Sequence, residues 1–475
     1  LHDVLKSLGQ ALFRVFKESN KMSDSGNMRG LSRRDFLKAS GLLVGGSALG
    51  AGYLMNPTLL AAQSKVELQF WHQWGGPPNS TALEDLAKRF SALYPNITIK
   101  FTDISGATDK LTASIAAGNP PDMVHFALST AVPEFAHRGA LQDLTALVTK
   151  DVPNWETLLY PYGKAVSSYN GKVYSVPSAN YNVGLLWNTD IFKEVGLDGT
   201  KGPKTIEELT TMADKLTIVD KDGTIKRMGF IPDYPGAGNG QFVNLVLYGW
   251  AFGGDWYDAA TKKITANHPK NIEALKWELG FYTKYGAQKV QNFVKSAGNY
   301  LTAQDLFQSG KVAMVYDGEW NLVFGDATFV PKLNTGGFPA PAANPGMFGV
   351  SYADSNPICL PARAAHAKEA WEFMKFMSFD KDACSAFAQT LANPCQLVDH
   401  PQYALEKDPR YAWFVNQQAL PSQKVYPRIP VSQSYFIKLA EAEQSVLYGQ
   451  STPEDALNQV TKEVQQLLDE AGEPA

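Results

Sequence analysis

The residues best suited to chemistry in this chain sit together at the end of one apolar run. Val312-Ala313-Met314-Val315-Tyr316 is rich in strand formers, and Asp317, Gly318, Glu319 and Trp320 follow at once. As a strand, the run carries Tyr316 and Asp317 to its carboxyl end, where open α/β sheets place their ligand clefts. A Trp ring there is a flat apolar face for stacking, and a carboxylate accepts hydrogen bonds from hydroxyls. Gly318 offers a tight turn and close approach of a ligand to the backbone. The same residues also read as a buried strand whose Trp merely packs. Asp317 divides in the same way, between a hydroxyl acceptor and a turn residue capping its own Asp-Gly step. Asp317 with Glu319 has the composition of a glycosidase acid/base pair, but the intervening glycine leaves their separation open, and separation is the test for that chemistry. Glu319 reads better as a turn or rim residue.

Other catalytic signatures are missing from the sequence. It has no His-Glu-x-x-His, no Gly-x-Ser-x-Gly elbow and no Walker loop. Gly236-Ala237-Gly238-Asn239-Gly240 lacks the glycine spacing of a dinucleotide loop and reads as a flexible turn. His72 and His125 fall near strand ends, as packing or hydrogen-bonding residues rather than metal ligands. Cys359, Cys384 and Cys395 are too few and too scattered for a disulfide framework or a zinc site. Cys384 and Cys395 either bridge in an oxidising compartment or remain free thiols. No cofactor, metal or catalytic residue is expected.

The elements that position these residues make a large exported protein. A chain of 475 residues exceeds one ordinary core, so more than one lobe is expected. Hydrophobic content of 44% against 19% charged residues describes a folded chain rather than a disordered one. Ser32-Arg33-Arg34-Asp35-Phe36-Leu37-Lys38 matches the twin-arginine export motif, with Arg33 and Arg34 at its centre. An uncharged, glycine-rich apolar run from Ala39 to Met55 follows, too short for a comfortable membrane span. Ala61-Ala62 marks a cleavage region, so residues 1–62 read as an N-terminal extension and signal peptide. Met22 and Met28 are alternative starts. With no cysteine after the apolar run, the lipoprotein route is not expected. Residues 1–62 hold eight Lys/Arg and four Asp/Glu, leaving 35 basic and 43 acidic residues beyond them, a net charge of −8. An acidic exported chain is a poor nucleic-acid binder.

Along the rest of the chain, Val66–Trp71, Ile97–Phe101 and Met123–Phe126 read as strands separated by helices, the pattern of parallel βαβ units. Ser80 and Thr81 read as caps of the first helix. Trp74 and Phe126 then fall at strand carboxyl ends, on the face assigned to Asp317 and Trp320. Asn170-Gly171 predicts a type I′ hairpin. Ser178-Ala179-Asn180-Tyr181-Asn182 is a polar, aromatic-bearing connection of the kind that crosses between lobes. Thr205 and Glu208 form a capping box, and helices are expected over Ile272–Tyr285, Thr302–Gln308, Ala365–Met377, Phe436–Leu447 and from Pro453 to Leu468.

Several short motifs stand in a definite order: Gly118-Asn119-Pro120-Pro121-Asp122, Tyr169-Asn170-Gly171-Lys172 with Val176-Pro177, Trp187-Asn188-Thr189-Asp190 and Pro203-Lys204-Thr205-Ile206-Glu207-Glu208-Leu209. Phe307 to Met314 with Gly318-Glu319-Trp320 follows, then Ala370-Trp371-Glu372-Phe373-Met374-Lys375-Phe376. In that order and spacing the chain resembles the carbohydrate-binding extracellular solute-binding proteins of bacterial ABC importers, family 1, the maltose-binding type. The resemblance covers nearly all of residues 66–470. It implies a two-lobed α/β fold of the periplasmic-binding-protein type II class, each lobe a mostly parallel sheet flanked by helices, with the ligand cleft between lobes. Lobe 1 would take 63–177 and 346–398, and lobe 2 would take 178–345 and 399–475. Trp320 matches a sugar-stacking Trp and Phe126 another stacking position. Ser129 and Thr130 replace a charged pair of maltose binders, and Tyr181 replaces a carboxylate. Tyr234 and Phe436 match further aromatic positions. With Trp74, Asn182, Asp317, Ser351 and Tyr352 these form the expected ligand-binding set. The resemblance implies a monomeric, non-enzymatic protein, periplasmic or extracellular, that captures a mono- or oligosaccharide by lobe closure. Its partners would be the importer's transmembrane permease subunits with their cytoplasmic ATPase, and the twin-arginine translocase during export. A polyamine, a peptide or another solute on the same fold is the alternative, and a secreted glycosidase a more distant one.

Overall fold

The computed structural model describes residues 65–75, 79–105, 108–234, 243–352, 354–400, 407–420 and 422–472. The expected motif at Arg33 and Arg34, the apolar run behind it and the turn at 236–240 lie outside them. Among the described residues no helix is long and apolar enough to cross a membrane.

Val66–His72 (β1) alternates, burying Leu68, Phe70 and His72 on one side. It pairs in parallel with Ile97–Asp103 (β2) and Met123–His125 (β3), and helices Asn79–Leu93 (α1) and Thr108–Ala116 (α2) lie between these strands in the chain. Val176–Tyr181 (β4) joins the same sheet. The chain then enters a second sheet through Val183–Asn188 (β5), Ile218–Val219 (β6), Ile225–Phe230 (β7), Val312–Gly318 (β8) and Leu333–Gly336 (β9), and returns to the first as Asp354–Cys359 (β10). The sheet orders are β2-β1-β3-β10-β4 and β9-β5-β8-β7-β6. Each sheet has its own apolar core, around Phe70, Phe90 and Phe373 in the first lobe and around Trp187, Phe230 and Tyr316 in the second.

The two-lobed α/β class is the expected one, but the sheets are mixed rather than mostly parallel. Five of the eight pairings within these sheets are antiparallel. The reason is connectivity: β4 and β10 carry the chain between lobes instead of closing βαβ units. β4 stays in the first sheet as far as Tyr181, so the crossing falls at Asn182 rather than after 177. Gln423–Lys424 pairs in parallel with Ser351–Tyr352 and brings the C-terminal segment to the same junction.

Local chemistry explains the successes and the misses. Asn170 and Gly171 adopt φ +47° and +74°, as a type I′ turn requires. Thr205 Oγ1 accepts the Glu208 N–H at 3.1 Å, while the Glu208 carboxylate takes the Lys204 N–H at 2.7 Å. Ser80 and Thr81 are not caps; they lie inside α1. Residues 302–308 are turns instead of a helix, because Asp305 Oδ1 accepts the N–H groups of Phe307 and Gln308 and so competes with helical bonding. Ala287–Lys295 is a helix that the sequence reading passed over.

Candidate ligand-binding site

The junction between the lobes is built on a pair of facing residues. Tyr181 ends β4 and Asp354 opens β10, and the two are register partners. The Tyr181 hydroxyl donates to Asp354 Oδ2 at 2.8 Å, the Ser129 N–H reaches the same oxygen at 3.3 Å, and Oδ1 takes the Ser355 N–H at 2.8 Å. They border a small cavity of about 10 Å³, room for about one water molecule. Leu128, Tyr181, Tyr352 and Phe436 supply its apolar walls. Thr130, Asp354 and Tyr426 supply polar atoms. Thr130 Oγ1 donates to Gln433 Oε1 at 2.7 Å, and the Tyr352 hydroxyl to Val243 O at 2.7 Å. Burial holds the Asp354 carboxyl above its ordinary value, against the pull of its hydrogen bonds and of the nearby Arg428. Arg428 is itself committed: its guanidinium donates to the carbonyls of Ser129, Val166 and Ser168 at 2.5, 2.8 and 3.3 Å.

The stretch from Asp317 to Trp320 forms a separate network. Both Asp317 oxygens accept the Tyr300 hydroxyl at 2.9 Å, and Oδ1 also takes its own Gly318 N–H at 2.8 Å. The capping role of Asp317 is therefore present, and its hydroxyl partner is a protein tyrosine. Burial raises its carboxyl to about 7. Trp320 is half-buried, and its ring nitrogen donates to the same Tyr300 hydroxyl. Gly318 is not a turn; it is the last residue of β8, paired with Val183. A Cβ at Gly318 would stand 2.2 Å from the Trp320 ring, so the close approach that glycine permits is used by the protein's own indole. Gly318→Ala is accordingly expected to displace the Trp320 ring and shift the protein's emission maximum, a change absent if the ring is not seated on Gly318. Glu319 is no rim residue. It is fully buried, takes the Asn393 side-chain N–H at 2.8 Å across to the first lobe, and is raised by burial to about 8. The two carboxylates are thus committed to different partners, Tyr300 and Asn393.

Several other expected residues face elsewhere. Trp74 is stacked on His125, ring centroids 3.5 Å apart and 9° from parallel, and packs against the first core. His125 is enclosed, receives the Gln73 N–H at Nδ1, and is held neutral by burial. Phe126 is buried among Val132 and Phe135 inside the first lobe, because the chain turns inward after β3. Tyr234 is buried in the second lobe, donating to Asp305 at 2.6 Å. Asn182 points its amide at Phe414 O, 2.8 Å away, and Ser351 Oγ braces Val183 through both backbone groups. Of the expected set, the structure brings Tyr181, Tyr352 and Phe436 together at the cavity, with Ser129 contributing backbone. It does not bring Trp74, Phe126, Tyr234, Asn182, Asp317, Trp320 or Ser351 to line it. Asp354, Tyr426 and Arg428 were missed. An acid opening the Asp354–Cys359 strand, and an arginine set among Tyr426, Pro427 and Pro430, were the available signals. Cys384 and Cys395 are buried free thiols with sulfurs 3.6 Å apart.

Two lobes joined by crossing strands, with an aromatic-walled cavity at the junction, make the architecture of a two-lobed binding protein. The chain belongs to the family of bacterial extracellular solute-binding proteins, which it matches over residues 75–383. It is 26% identical over 441 residues to an uncharacterised ABC transporter extracellular-binding protein of Pyrococcus horikoshii, covering 90% of this chain and 89% of that one. A maltotriose-binding protein of Pyrococcus abyssi is 23% identical over 330 residues, 68% of this chain and 64% of that protein. Among solved structures, a binding protein with mannotriose bound superimposes with a TM-score of 0.74 at 32% identity, covering 84% of this chain and 99% of the other.

Proposed function

We propose that this protein is the extracytoplasmic substrate-binding component of an ABC importer, which captures a neutral oligosaccharide between its lobes and delivers it to a membrane permease. The observation that carries this reading is the junction cavity: aromatic side chains supply flat apolar faces, a single carboxylate supplies a hydroxyl acceptor, and the neighbouring arginine is engaged by three backbone carbonyls. Sugars present that combination of C–H faces and hydroxyls. A cavity the size of one water cannot hold a sugar ring, so entry requires the lobes to part. A ligand touching both lobes then favours closure by the contacts it gains there. The similar protein solved with mannotriose bound and the maltotriose-binding relative support manno- or malto-oligosaccharides as first candidates. Export by the twin-arginine route, cleavage near residue 62 and a monomeric state complete the proposal. The monomeric state rests on the expected function alone.

The test is calorimetric titration of mannobiose, mannotriose, maltose and maltotriose into the protein lacking residues 1–62, beside spermidine and a tripeptide. Micromolar or tighter binding of one sugar, with intact sugar recovered afterwards, supports the proposal. Binding of spermidine or peptide alone overturns the sugar reading and keeps the fold's role. Release of reducing ends overturns both.

A further inference from the structure

We infer that Tyr426, acting with Asp354, is a specificity-determining pair that takes a ligand hydroxyl at the lobe junction. This deepens the sugar reading and rests on it. Of the polar side chains at the cavity, most are already engaged: Thr130 with Gln433, Tyr181 with Asp354 and Tyr352 with Val243 O. Tyr426 is the exception. It lines the cavity, is 4% exposed, and its buried hydroxyl has no hydrogen-bond partner among the described residues. An orphan hydroxyl in such surroundings costs stability unless something completes it. Two edge-to-face neighbours, Tyr435 at 6.1 Å and Phe436 at 5.5 Å between centroids, hold the ring that carries it.

Across the same small space stands Asp354. Its Oδ2 already receives Tyr181 and Ser129, and each carboxylate oxygen can accept more than one bond. A donor-acceptor hydroxyl on the cavity side of a sugar ring would therefore donate to Asp354 and accept from Tyr426. This arrangement selects for an uncharged hydroxyl. A phosphate or carboxylate placed there would face the Asp354 carboxylate, with the Arg428 donors already turned to three carbonyls. It also assigns Tyr181 a second role, because its hydroxyl is the protein group bonded to the carboxylate that the ligand would share.

The experiment compares Tyr426→Phe with wild type by titration of mannotriose, or of maltotriose if that sugar binds wild type more tightly, and by melting without sugar. The expected result is an affinity lowered about tenfold, with the melting temperature unchanged or raised because an unpartnered hydroxyl has been removed. Asp354→Asn is expected to lose at least as much affinity. A monodeoxy sugar weakened against wild type by loss of the bridging hydroxyl should lose less against Tyr426→Phe, where only the bond to Asp354 is left to lose. Unchanged affinity of Tyr426→Phe for a sugar that wild type binds overturns the inference and leaves the sugar reading standing. A lower melting temperature with unchanged affinity would make Tyr426 a packing residue and overturn it too. Failure of wild type to bind any sugar overturns both.

Discussion

Arg428→Ala is expected to lower the unfolding free energy by about 2–4 kcal/mol, measured by urea denaturation at neutral pH. The guanidinium reaches from the C-terminal segment into the first lobe and satisfies the carbonyls of Ser129, Val166 and Ser168. Truncation removes the guanidinium donors from the Val166 and Ser168 carbonyls and leaves Ser129 O with the Val132 N–H. It also removes the positive charge that opposes the burial penalty on Asp354. Burial pulls the Arg428 pKa down to about 10, so the group remains a cation at neutral pH. Arg428→Lys keeps the charge but replaces a planar fork by a single ammonium, which cannot span three carbonyls of divergent direction. It should fall between wild type and alanine. Because Ser129 contacts both Arg428 and Asp354, the alanine variant should also weaken sugar binding. A loss of stability below about 0.5 kcal/mol, the range of ordinary surface substitutions, would show that the carbonyls find water instead.

What the sequence made legible follows from the range of the forces involved. Alternation in Val66–His72, the Asn170-Gly171 turn and the Thr205–Glu208 box are set by neighbours a few residues apart, and each formed as read. The identity of the junction was legible through Tyr181, a polar-flanked aromatic in a connection between apolar strands. Which aromatics face the cavity was not legible, because that depends on partners far along the chain. Trp74 looked like a cleft residue until His125, on the adjacent strand, provided a ring to stack on. Phe126 stood at a strand end, yet the helix carrying Val132 and Phe135 offered it a dry surface. Glu319 read as a surface turn because its Asn393 partner is 74 positions away and in the other lobe. Asp354 and Tyr426 acquire meaning only when β10 and the C-terminal segment arrive at the same place.

The second large effect concerns acidity in the second lobe, and its sign can be fixed in advance. Glu278, from the Pro269–Tyr285 helix, is fully buried against Glu443, whose carboxylate its own proton can bond, and among the described residues neither of its oxygens accepts from another donor. Facing it are Glu443, whose Oε1 takes the Leu245 N–H at 3.1 Å, and Asp233, which takes the Tyr282 hydroxyl at 2.6 Å, with Tyr248 close by. Burial raises Glu443 and Asp233 to about 7 each and drives Glu278 well above the carboxylate range, with the Glu443 charge adding to it. These groups hold protons in the folded chain that the unfolded chain releases at lower pH. For Glu443 and Asp233 that contribution to stability is therefore fully present below the unfolded values near 4 and is lost as pH rises through about 7. Each such proton makes stability fall by about 1.4 kcal/mol per pH unit inside that window. The protein should accordingly be markedly more stable at pH 5 than at pH 8. Glu278→Gln keeps the shape and removes the titrating group. It should flatten the slope by about one proton and leave the variant more stable than wild type at pH 8. Asp317 and Glu319, raised to about 7 and about 8, still titrate in the variant, so its curve keeps a residual slope of the same sign. Parallel curves for the two proteins between pH 5 and pH 9 would mean that water or a cation compensates Glu278 in solution.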